Sequence, residues 1–189
     1  MAGEECLPQR AAELAESMLS GLDRRWRHVQ GVARCALQLA RLTPPENASH
    51  LIAAAWLHDL GYASAIAVTG LHSVDGARFL EDHGWPSRVV SLVAYHTGAE
   101  VEAEERGLLD ELHAFDPPPP DLLDLLTAAD VTTSPDGDPI EPELRVAEIL
   151  LRYEPEDEVH RAVSTSAPAL VAAVARVRAL PPWQVTQPM

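Results

Sequence analysis

The sequence predicts an all-α bundle of helices folded as one domain. Three observations carry the prediction. Apolar residues recur at helical spacing through nearly every segment, no stretch alternates apolar and polar residues as a half-buried strand would, and proline and glycine stand where the periodic runs start and stop. With 189 residues, 47% of them hydrophobic, the chain is long enough to bury a sizeable core.

Residues 8–20 read as an amphipathic helix, with Pro8 near its start and Gly21 after its end. A second helix over 24–42 is closed by Pro44-Pro45, and His28, Val32, Cys35, Ala36 and Leu39 recur on one face. The third, over 46–60, carries His58 beside Asp59 in its last turn before Gly61 stops it. A loop over 61–71 leads through His72 to Ser73, which reads as the cap of a helix ending near His83. Pro86 starts another helix, whose stripe Val89, Leu92 and Val93 leads to His96, and Thr97-Gly98 ends it. Residues 99–112 are acidic and weakly helical and read as a solvated face or mobile cover. The prolines at 117–120 form a stiff connector into a helix over 121–131, where Leu122, Leu123, Leu126 and Asp130 mark one face. A turn-rich loop over 132–142 is sharpest at Ser134-Pro135-Asp136-Gly137. Three closing helices follow, over 141–152, 156–163 and 168–180, and Pro181-Pro182 opens a loose tail.

A net charge of −15 argues against nonspecific binding to nucleic acid or to an anionic membrane, both of which attract basic surfaces. No apolar run approaches the roughly 18 residues that a membrane span needs. Glu4 and Glu5 stand where a secretory leader would be basic. Cys6 and Cys35 are too few for a disulfide framework and lack metal-ligand spacing, and Cys35 reads as core filler. The expected setting is a reducing cytoplasm, with no nucleic-acid or membrane partner; a homo-oligomer is compatible with the chain.

Polar residues on apolar stripes single out a site. His58 and Asp59 follow Ala53-Ala54-Ala55-Trp56-Leu57, and burying both among such neighbours is costly unless something pairs with them. A divalent cation does so, because imidazole and carboxylate are common metal ligands. His28, His96 and Asp130 repeat the oddity on three other helices. Each alone is more often a satisfied core residue than a ligand, and a histidine also suits a helix C-terminus. Four helices delivering such groups inward can bring them to one point.

The ordered pattern His28…His58-Asp59…Asp130 resembles the defining pattern of the HD-domain superfamily of metal-dependent phosphohydrolases, whose fold is an all-α bundle. The resemblance covers roughly residues 24–152. It implies a core over 24–152, with an N-terminal helix over 1–23 packing on it, closing helices over 153–180 and a tail over 181–189. Two further histidines refine it. His72-Ser73-Val74-Asp75-Gly76 and Tyr95-His96-Thr97 look like the extra ligands of members that hold two metals, such as bacterial diadenosine tetraphosphate hydrolases and HD-GYP proteins. By that analogy Asp59 bridges two divalent ions, His28, His58 and Asp130 complete one, and His72 and His96 bind the other. Iron or manganese is the expected metal, with magnesium, cobalt, nickel and zinc as further candidates. His50, His83, His113 and His160 sit in polar or capping contexts and read as solvated.

The implied chemistry is attack of a metal-bound hydroxide on the phosphorus of a small phosphorylated substrate, foremost a nucleotide. Asp59 is expected to hold the metal pair and orient the nucleophile. Phosphate recognition calls for guanidinium groups. Arg145 is the first candidate, both for catalysis and for substrate binding, and Arg27 the second, ahead of Arg24, Arg25 and Arg78. The sequence departs from many relatives: Tyr62 stands where a lysine follows His-Asp-x-Gly, no glutamate follows Asp59 closely, and no Gly-Tyr-Pro signature is present. A second enzymatic class stays open, because some HD proteins use the same six ligands to hold two irons and activate oxygen, as in myo-inositol oxygenase and phosphonate-cleaving oxygenases. A third is a catalytically silent nucleotide-binding module.

Overall fold

The computed structural model describes residues 6–181, and its centre is the helix α3 (Pro45–Leu57). Leu51, Ala53, Ala54, Ala55 and Leu57 of α3 are all fully buried, as expected of a helix that is apolar nearly all round. Helix α1 (Leu7–Leu19) lays Ala11, Ala15 and Leu19, spaced four apart, against it. Helix α2 (Arg24–Leu39) packs beside α3 through the stripe His28, Val29, Val32 and Ala36. Then come α4 (His72–Asp82), α5 (Ser87–Tyr95), α6 (Ala99–Glu105), α7 (Leu109–Leu112), α8 (Pro120–Val131), α9 (Pro142–Leu150) and α10 (Glu158–Arg178). Helices α2, α3 and α5 all touch α8, so the faces bearing the histidines and the late aspartate converge. The fold is all-α. Among the described residues there is no strand, only an isolated bridge between Thr133 and Pro139. No described helix is long and apolar enough to cross a membrane. Residues 182–189, most of the expected tail, lie outside the described residues.

Four local expectations are corrected. Helix α3 stops at Leu57, so His58 and Asp59 stand at its exit, where Asp59 leaves helical geometry at φ −95°, ψ 11°. Helix α4 begins at His72 itself, and Ser73 lies within it with a buried, unpartnered hydroxyl instead of capping it. Asp75 does the anchoring: its carboxylate accepts the Val68 and Thr69 N–H groups and the Thr69 hydroxyl, tying the incoming loop to the helix. Residues 99–112 are more than a solvated face. Glu100 and Glu104 are exposed, but Ala99 and Ala103 are buried, and Arg106 joins Glu102 to Glu158 of α10. Finally, α10 runs unbroken through Pro168, where two helices were expected. Proline frees the carbonyl of Ser164, four residues back; both residues are exposed, which leaves that carbonyl to solvent rather than to an apolar interior, and the helix continues.

Candidate metal centre

Three of the four histidines of the site are aimed by the same device. His58 and His96 each leave the end of a helix and donate Nδ1–H to the carbonyl three residues back, Ala55 at 2.9 Å and Val93 at 2.7 Å. These carbonyls are among the groups that a helix C-terminus leaves unpaired. His28 does likewise across the chain, donating Nδ1–H to the Ser134 carbonyl at 3.1 Å. In each ring this anchoring of Nδ1 turns Nε2 towards the cluster, the arrangement that orients metal-binding histidines.

The six expected ligands are brought together as two groups. His28, His58 and Asp130 form one, Asp59, His72 and His96 the other, and within each group the ligand atoms lie within 4.8 Å of one another. His28 Nε2 is 2.9 Å from Asp130 Oδ1, and Asp130 Oδ2 accepts the Thr97 hydroxyl at 2.5 Å. Asp59 lies between the groups, with Oδ2 3.4 Å from His58 Nε2 and Oδ1 3.6 Å from His72 Nε2. His72 Nε2 and His96 Nε2 are 3.1 Å apart. The glycine spacing behind His72 is tight: Gly61 and Gly76 meet where α4 begins, and Gly61 presses on the His72 carbonyl.

Burial would raise the Asp59 carboxyl, but Arg25 and His58 hold it well below the usual carboxylate range. Burial likewise opposes ionisation of Asp130, but His28, whose Nε2 lies on its carboxylate, and then the nearby His58 hold it well below the usual carboxylate range. His58, though buried, is pushed up to about 9 by Asp59 and Asp130. His72 and His96 are lowered, first by burial and then by neighbouring imidazoles. The buried His58 Nε2 has no hydrogen-bond partner. An orphaned nitrogen amid imidazole and carboxylate donors fits a divalent metal.

Arg25, ranked behind others on sequence, is the guanidinium that the fold brings onto the cluster. Its Nη1 donates to Asp59 Oδ2 at 2.7 Å, its charge lies 3.8 Å over the Tyr62 ring, and Tyr62 stacks on His72 with centroids 4.2 Å apart. Arg145 is buried and paired with Glu148 on its own helix, with Nε unpartnered. Arg27 is held at the surface by Asp23 and Asp136. The signal for Arg25 was its place three residues before His28, which puts both on one helix face. Thr97 carried no such signal. A cavity of about 740 Å³ lined by Arg34, Thr132, Ile140 and Val174 includes none of the six ligands. His83 and His113 are exposed, as expected, while His50 and His160 are half-buried.

The model of the family described as "HD domain" matches residues 25–149. A tRNA (cytidine(56)-2'-O)-methyltransferase of Thermoplasma volcanium is 37% identical over 78 residues, 41% of this chain and 22% of that protein. The protein of the same name from Picrophilus torridus is 31% identical over 103 residues, 54% of this chain and 27% of the relative. The chain thus spans about a quarter of the length of the curated relatives it matches. No solved structure matches.

Proposed function

We propose, since this chain belongs to the HD-domain family of metal-dependent hydrolases, that it is a phosphohydrolase acting on a small phosphorylated substrate, foremost a nucleotide. The observation that carries the reading is the pair of compact ligand groups with Asp59 between them and a guanidinium on its carboxylate. His28, His58 and Asp130 would hold one divalent ion, and Asp59, His72 and His96 a second. Ions held there supply activated water at neutral pH and neutralise phosphate charge. The chain's own residues do the rest. Asp59 spans both groups with its two oxygens and is the acceptor toward which an attacking water is oriented. Arg25 hands its N–H groups from Asp59 to a phosphate oxygen once that carboxylate is otherwise engaged, a pairing that guanidinium geometry favours. It takes the role expected of Arg145 and Arg27, whose guanidinium groups are engaged by Glu148 and by Asp23 and Asp136.

The relatives' printed activity, methyl transfer to tRNA, is that of proteins about four times the length of the matched stretch. A chain of net charge −15 is ill suited to a polyanion, so the reading rests on the site. The test is metal content of the purified protein, followed by phosphate release from a nucleotide panel under argon and under air. Two equivalents of metal with oxygen-independent release are expected, and Asp59→Ala should lose both the activity and most of the metal. Iron with oxygen consumption and no phosphate, or full turnover by Asp59→Ala, would overturn the reading.

A further inference from the structure

We propose that Thr97 is a positioning residue: its hydroxyl fixes Asp130 as a one-oxygen ligand, and α10 holds the strained turn that makes this contact. The inference rests on the metal-site reading above. The turn His96–Gly98 links α5 to α6, and within it Thr97 adopts φ 44°, ψ 53°. Left-handed backbone is rare for a β-branched residue and persists only where its surroundings impose it. Two features impose it here. Gly98 follows at φ 79°, so two consecutive residues turn in the left-handed sense. Gly98 also lies against α10, where an added Cβ would be 3.0 Å from Ser166 Oγ and 3.1 Å from Ser166 Cβ. Helix α10 lies outside the matched residues 25–149, yet it supports a turn at the heart of the site.

The sharp turn lets neighbouring residues serve different groups. His96 Nε2 faces His72, while the Thr97 hydroxyl reaches Asp130 Oδ2 at 2.5 Å. Asp130 Oδ1 stays with His28 Nε2 at 2.9 Å. With Oδ2 held by a hydroxyl donor, rotation of the carboxylate is restrained and Oδ1 is the oxygen turned to the His28–His58–Asp130 group. Partners of this kind typically govern metal affinity by about 10–100-fold.

The test is Mn(II) titration calorimetry in a His72→Ala background, which leaves the His28–His58–Asp130 group to be read alone. Thr97→Gly removes the hydroxyl and relieves the backbone, and should weaken binding by about 10–100-fold. Thr97→Ser keeps the hydroxyl and should hold the affinity within about threefold of the His72→Ala parent, a rescue that a purely structural role would not produce. Parent-like affinity in Thr97→Gly, or equal losses in both variants, would overturn the proposal while leaving the metal site standing. Absence of binding to the parent and to the unmutated protein alike would overturn the metal-site reading and this inference with it.

Discussion

A single methyl group placed at Gly61 should empty one half of the site. A Cβ there would lie 2.0 Å from the His72 carbonyl oxygen, 2.7 Å from its carbon and 2.9 Å from the Gly76 nitrogen. All three are backbone atoms, so no side-chain rotation relieves the clash. Restoring the closest contact to an ordinary 3.4 Å requires α4 to withdraw by about 1.4 Å. That is several times the roughly 0.2 Å within which metal–ligand distances are held. His72 rides on the displaced backbone and would leave Asp59 and His96. Overpacking of this kind costs about 1–3 kcal/mol. At about 2–4 °C per kcal/mol for a chain of this size, Tm should fall by about 2–12 °C. Calorimetric unfolding and Mn(II) titration of Gly61→Ala read the two effects together: lower Tm, and stoichiometry falling from two towards one while the His28 group still binds. Wild-type stoichiometry and affinity in Gly61→Ala would refute the argument, because His72 could then not depend on that contact.

Arg25→Lys should lower kcat/KM for phosphate release by about 10–100-fold, the worth of a charge-assisted hydrogen bond of about 1.5–3 kcal/mol, while the protein still binds metal. Unchanged steady-state kinetics would remove Arg25 from substrate binding. Burial pushes the Cys35 thiol up, so little of it is thiolate near pH 8. Mass spectrometry after limited iodoacetamide treatment should therefore find exposed Cys6 alkylated well before Cys35, with Cys35 gaining as pH rises; equal labelling at pH 8 would contradict this.

Five of the six candidate ligands stand out in the chain itself, whereas His72 comes only with the family resemblance. His28 shares a stripe with Val32 and Ala36, Asp130 one with Leu122 and Leu126, and His58-Asp59 ends an apolar run. A buried polar residue at core spacing is conspicuous without a structure. What escaped depends on contacts distant in sequence or on solvent. The start of α4 is set by Asp75 holding the loop at Val68 and Thr69, while Ser73 looks locally like a cap. Continuity through Pro168 depends on which face of α10 meets water. Arg25 became distinct from Arg27 only when Asp59 was placed beside it and Asp136 beside its neighbour. The left-handed Thr97 has no sequence mark beyond the glycine that follows it.

His28 and Asp130 meet at 2.9 Å although 102 residues separate them. During synthesis the first histidine therefore leaves the ribosome well before its partner, by about 5–20 s at typical elongation rates. The His28–Asp130 contact therefore ties the beginning of the core to its end, and it can form only once the chain between them has been made.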